Sequence, residues 1–187
     1  GLSSVGQIVG GSSIVSTTTI TAATGFASTT GDVDAVAGYI DGNSGIKERG
    51  RSAVVGEWTD EAFAAGDFTG NGSMTWTVAA GDVDNFSWIR LGTTMIINFS
   101  INNTTVGGTP STILQILLPD SATAVNTVTV PCYVDDNTAV LGSSYATVDA
   151  SGTQIKIQAY NTVGAAITYA ASTNLTDVRG SITLEVS

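Results

Sequence analysis

Beyond residue 52 the chain alternates between apolar and polar positions in short runs, each closed by a turn signal. Thr94-Met-Ile-Ile-Asn-Phe-Ser-Ile101 sets Met95, Ile97, Phe99 and Ile101 on one face. Val128, Val130, Cys132 and Val134 share a face, as do Ile155, Ile157 and Ala159. Met74-Thr-Trp-Thr-Val78 alternates cleanly, with Trp76 inward, and Ile182, Leu184 and Val186 point inward from the last run while Arg179, Ser181, Thr183 and Glu185 point outward. A period of two is the signature of strands with one buried face. Asp67-Phe-Thr-Gly-Asn-Gly, Ala80-Gly-Asp, Leu91-Gly, Gly107-Gly-Thr-Pro and Ala150-Ser-Gly punctuate the runs. Roughly seven or eight strands at this spacing predict an all-β domain over 51–187, a two-sheet antiparallel β-sandwich of jelly-roll type.

One run departs from the alternation. Ile113-Leu-Gln-Ile-Leu-Leu118 is apolar on both sides, with Ile113 and Leu117 opposite Leu114, Ile116 and Leu118, and Ile96 adds a second such position. A two-layer sandwich buries only one face of each sheet. Ile96, Ile113 and Leu117 are therefore expected to be covered by the N-terminal arm or by another copy, which favours a symmetric homo-oligomer, a trimer first among them.

Residues 1–50 read differently, as an N-terminal arm that anchors the domain. They hold few large side chains, and Ile8, Ile14, Val15 and Ile20 are the candidate anchoring side chains, the last three within the β-prone run Ile14-Val-Ser-Thr-Thr-Thr-Ile-Thr21. Val33, Val36, Ala37 and Ile40 fall at helical spacing behind Thr30 or Asp32 as N-cap, so the arm has room for one short helix. Lys47-Glu-Arg-Gly-Arg51 marks the boundary; it reads as a solvated hinge or as an electrostatic contact with acidic neighbours, other copies included.

Composition agrees with a strand-rich chain: of 187 residues only 12% are charged, and 22 are Gly against 3 Pro. The net charge of −10 argues against nucleic-acid or anionic-membrane partners. Gly1–Gly11 has neither the basic region nor the apolar run of a secretory leader, so none is expected, and no run approaches the ~20 apolar residues of a membrane span. Cys132 is the lone cysteine and reads as a small buried residue, not a reactive thiol.

Candidate chemistry is thin. The chain has no histidine, which removes Ser-His-Asp and Cys-His catalysis and histidine-ligated metals. Carboxylate pairs that could flank a glycosidic bond occur at Glu57, Asp60 and Glu61, at Asp82 and Asp84, and at Asp135 and Asp136, all read as turn acids. Asp67, Thr69, Asn71 and Gly72 imitate the opening of a calcium loop, but Val78 stands where the bidentate Glu belongs. No enzyme, no cofactor and no metal is therefore expected. Exposed rings beside acids suit sugar stacking and hydrogen bonding, which makes Tyr133, Asp135, Asp136 and Tyr145 the candidate ligand or receptor contacts.

The stretches Glu48-Arg-Gly-Arg51, Gly56-Glu-Trp-Thr59, Ala65-Gly-Asp-Phe-Thr69, Trp76-Thr-Val78, Leu91-Gly-Thr-Thr-Met95, Thr104-Thr-Val-Gly-Gly-Thr-Pro110 and Ile116-Leu-Leu-Pro119 resemble the C-terminal jelly-roll domains of tailed-bacteriophage virion proteins, found in tail-fibre tips and in head fibres or decoration proteins. The resemblance covers about residues 48–187. It implies a trimeric jelly roll on the virion surface, assembled in the host cytoplasm, with capsid or tail proteins as partners and no catalytic residues. The short N-terminal region departs from a long tail fibre, which needs an extended shaft, and favours a capsid decoration or head-fibre protein or a short fibre tip acting by attachment and display. The alternative is a carbohydrate- or receptor-binding tail-fibre module with a host cell-surface glycan as partner. A glycan-degrading enzyme comes third.

Overall fold

A computed structural model describes residues 56–187 except 138, 142 and 162. The expected helix over 32–40, the anchoring residues Ile8, Ile14, Val15 and Ile20 and the basic run Lys47–Arg51 lie outside the described residues. Eleven strands follow one another: β1 (Thr59–Asp60), β2 (Phe68–Gly70), β3 (Met74–Thr77), β4 (Val83–Leu91), β5 (Thr94–Gly108), β6 (Leu114–Leu117), β7 (Val128–Asp136), β8 (Ala139–Val140), β9 (Ser144–Val148), β10 (Gln154–Ala159) and β11 (Ser172–Glu185). Single 3₁₀ turns at Ala65–Asp67, Ala80–Asp82 and Pro119–Ser121 are the only helical elements among the described residues, and none could cross a membrane.

The two-sheet jelly-roll sandwich expected from the alternation is not what forms. All eleven strands belong to one antiparallel sheet in the order β1-β4-β5-β11-β7-β9-β10-β6-β2, with β3 added on β5 and β8 on β7. The reason lies in β7, which changes partner midway. Val128–Cys132 pair with Val148–Ser144 of β9, and Tyr133–Asp136 pair with Arg179–Thr176 of β11. One strand thus joins what would have been two sheets, and the continuous sheet curls into a half-barrel.

Length and bulges supply the curl. β5 runs 15 residues and β11 runs 14, long enough for the normal strand twist to accumulate. Register shifts between β4 and β5 and between β5 and β11 bend the sheet further. The inner face then closes on itself: Met95, Ile97, Phe99, Ile101, Val178 and Ile182 from one half share a core with Leu114, Ile116, Val148, Ile155 and Ile157 from the other. Phe68, near one end of the sheet, stands 6.1 Å from Phe86 at the other and meets the Trp76 indole edge-on at 5.6 Å. Gly108 allows β3 to join β5, because its φ is +69° and a Cβ there would lie 2.3 Å from the Ser73 carbonyl.

Burial follows the alternation along β3, β6, β9 and β10. On β6, Leu114 and Ile116 are fully buried while Leu117 is 40% exposed; Ile113 just before it and Ile96 on β5 are half-buried. Leu117 is the most exposed of the three.

Candidate functional site

The outer face of the sheet carries a polar and aromatic cluster that a bulge creates. Thr104 pairs with Thr176, and the next pair is Ile101 with Val178, so Asp177 alone faces two residues, Asn102 and Asn103. Asn103 takes φ +56°, a conformation Asn tolerates better than most residues, and its backbone N–H donates to Asp177 Oδ1 at 2.7 Å. The Asn102 side chain is buried at the bulge. Its Oδ1 accepts from Arg179 Nε at 3.0 Å and Nη2 at 2.8 Å, and its Nδ2 donates to the Asp84 carboxylate. Asp84 reaches that position through a second register shift, between Val83 and Asn85 on β4. Below the bulge, the buried Thr104 hydroxyl accepts from Trp76 Nε1 at 2.8 Å and donates to the Thr176 carbonyl at 2.7 Å.

Held this way, the Arg179 guanidinium lies 5.4 Å from the centre of the Tyr133 ring, its cross-strand partner, and 3.5 Å from Asp177. Asp135 faces Asp177 directly across the strands. Its Oδ1 is buried and has no hydrogen-bond partner among the described residues. Asn103, Asp135, Asn174, Leu175 and Asp177 line a shallow cavity of 130 Å³. Two carboxylates fall short of the oxygen set a calcium site draws on, and among the described residues no group of three or more His, Cys, Asp or Glu could hold a metal.

The other expected contacts fall partly on this face. Tyr133 and Tyr145 both point outward, 38% and 39% exposed. Tyr145 stands opposite Pro131 on β7 and Gln158 on β10, 6.0 Å from the Tyr160 ring, whose hydroxyl donates to Gln158 at 2.8 Å. Gln158, Tyr145, Pro131, Tyr133 and Arg179 therefore form a strip across four neighbouring strands, about 14 Å wide at the usual strand spacing. Asp136 does not join it. The expected turn at Asp135-Asp136 is the end of β7, and Asp136 points inward, where Oδ2 accepts from the Ala170 N–H at 2.8 Å and Thr176 Oγ1 lies 3.5 Å from Oδ1. Burial raises its pKa; the Ala170 and Thr176 bonds oppose the rise and the Asp135 charge adds to it. Burial also pushes the Cys132 thiol up to about 12, which leaves almost no thiolate at neutral pH.

The remaining acids are spread out. Glu61 accepts from Trp88 Nε1 at 2.8 Å, Asp82 caps the Ala79 N–H at 2.8 Å, and Asp120 pairs with the Arg90 guanidinium at 3.6 Å. Glu61, Asp67 and Asp120 border a separate 440 Å³ groove with Phe86, Leu117 and Pro119. Arg179, Asn102, Asp177 and Asp84 are the functional candidates that sequence reasoning did not gather. The one available signal was Asn102-Asn103, two polar residues in succession that break the alternation after Ile101.

Fold and site define an all-β, curled-sheet domain with a ring-and-guanidinium strip on its outer surface. No protein-family model, curated protein or solved structure matches the chain.

Proposed function

We propose that this protein is a display and binding module, with the outer strip of the curled sheet as its ligand-contact surface and carbohydrate as the ligand class. The observation that carries the reading is the fixed placement of Tyr133, Tyr145 and Arg179 on one solvent-facing surface over a fully buried core. Outward aromatic rings flanked by amide and guanidinium groups offer a sugar an apolar face and several fixed hydrogen-bond donors. Because Asn102 and Asp177 restrain Arg179 before any ligand arrives, little ordering entropy remains to oppose binding.

The setting we assign is the surface of a tailed-phage virion, as a decoration or fibre-tip protein that self-associates. Its support is the set of turn and core residues quoted for the resemblance, not the fold class, whose two-sheet form is overturned. The full chain should bind selected members of a broad glycan panel, and Tyr145→Ala and Arg179→Ala should each weaken that binding at least ~10-fold, about 1.4 kcal/mol. A flat response across the panel would remove the carbohydrate reading. Mass spectrometry of purified particles that lack the chain would remove the virion setting.

A further inference from the structure

The outer strip is built around a cation whose charge is already compensated. Arg90, Lys156 and Arg179 are the Lys and Arg residues among the described ones; Arg90 is buried and paired with Asp120, which leaves Lys156 and Arg179 for the outer face. Lys156, two positions before Gln158 on β10, pairs with Asp149. Arg179 lies 3.5 Å from Asp177, and the Asn102 amide that holds it donates on its far side to Asp84. Asp135 faces Asp177 directly across the strands and forms no salt bridge among the described residues. Around the strip, Arg179 and Lys156 are thus outnumbered by Asp84, Asp135, Asp149 and Asp177. An arginine opposed in this way serves as a fixed donor, not as a receptor for anions.

The hydrogen-bond inventory points the same way. Arg179 gives Nε and Nη2 to Asn102, which leaves its Nη1 N–H groups without a hydrogen bond among the described residues. Asp135 and Asp177 are the next outward pair after Tyr133 and Arg179 and line the shallow cavity; an ionised carboxylate only accepts. A sugar hydroxyl can accept from Nη1 and donate to a carboxylate at once. The carboxylate of an acidic sugar can do only the first, and it brings a like charge to Asp135 and Asp177. Tyr133 and Asp135 stand two positions apart on β7, about 7 Å. A ring stacked on Tyr133 therefore holds its substituents within the ~8–10 Å over which charges act at ordinary ionic strength. We infer that the strip selects uncharged sugars over acidic ones, with Asp135 and Asp177 as the residues that set the preference. This selectivity rests on the carbohydrate reading given above.

The test is calorimetric titration of the full chain at neutral pH with trisaccharides of glucose, galactose and mannose, each beside the same sugar oxidised at C6 to the carboxylate. In about 0.1 M salt the neutral member of any pair that binds should bind at least ~10-fold more tightly than its oxidised counterpart. Raising salt to about 1 M cuts the screening length from about 10 Å to about 3 Å and should narrow that ratio to about 3-fold or less. The double variant Asp135→Asn with Asp177→Asn should narrow it likewise in low salt, chiefly through tighter binding of the oxidised sugar; Asn at 177 keeps an acceptor oxygen for the Asn103 N–H, and circular dichroism verifies folding. Oxidised sugars bound as tightly as neutral ones, or more tightly, would overturn the selectivity and leave the carbohydrate reading standing. A ratio that neither salt nor the double variant changes would also overturn it, and the salt series decides alone if that variant does not fold. Binding of no sugar, neutral or oxidised, would remove the carbohydrate reading and the selectivity together.

Discussion

Thr104 is the buried hinge pin of the bulge, and replacing it with the near-isosteric Val separates hydrogen bonding from packing. The hydroxyl accepts from Trp76 Nε1 at 2.8 Å and donates to the Thr176 carbonyl at 2.7 Å, with no exposure of the residue to water. Val keeps the volume but abandons the indole N–H in the core and removes one donor from the carbonyl. A buried group left without its partner costs about 1–3 kcal/mol. Two such groups, one of them a ladder carbonyl with other partners, put the loss for Thr104→Val at about 2–4 kcal/mol, or a melting temperature lower by roughly 5–15 °C for a chain of this size. Thr104→Ser keeps both bonds and loses one methyl, about 1 kcal/mol. Urea unfolding followed by Trp fluorescence measures both variants on one scale. If Val is as stable as Ser or more so, the relay does not hold the bulge and the argument for a preformed outer site fails with it.

Asp136 makes an unusual pH prediction, since burial raises its pKa above the ordinary value near 3.8. Its contribution to stability is then fully present below about pH 4 and is lost as pH rises through the folded value, so Asp136→Asn should gain on wild type in urea midpoints as pH is raised from about 4 to neutral; a pH-independent difference refutes this. Asp135→Asn removes one of two facing carboxylates, one of whose oxygens is buried without a hydrogen-bond partner among the described residues. It should stabilise the protein by about 0.5–1 kcal/mol, and a loss of stability would show that the charge is compensated. Gly108→Ala meets the Ser73 carbonyl at 2.3 Å with φ +69° and should cost about 2–3 kcal/mol; an unchanged melting temperature would contradict the placement of β3 on β5.

Strand identity was largely legible because burial of one face writes itself into the sequence. Met95, Ile97, Phe99 and Ile101 all point inward as read, as do Trp76, Ile182 and Leu184, and the outward position of Arg179 also follows from the alternation. The number of sheets was not legible. An alternating strand looks the same whether its inner face meets a second sheet or a distant part of its own, and the partner change within β7 depends on register with β9 and β11, far away in sequence. Asp135-Asp136 resembled a turn because two adjacent acids are rare inside strands; the Ala170 N–H and Thr176 near Asp136 make the inward position tolerable. The Arg179–Asn102–Asp84 chain was hidden for a related reason. It joins three strands through two bulges, and a bulge is a property of paired strands, of which one strand's sequence shows only a break in rhythm.

Isotope-edited NMR of the full chain, titrated with the sugars of the glycan panel, addresses the outer strip most directly. The amide and side-chain signals of Gln158, Tyr145, Tyr133 and Arg179 should shift together and saturably, with the groove around Leu117 and Phe86 unmoved. Saturable shifts confined to that groove, or none at saturating sugar, would contradict the assignment of the curled sheet's outer face as the binding surface.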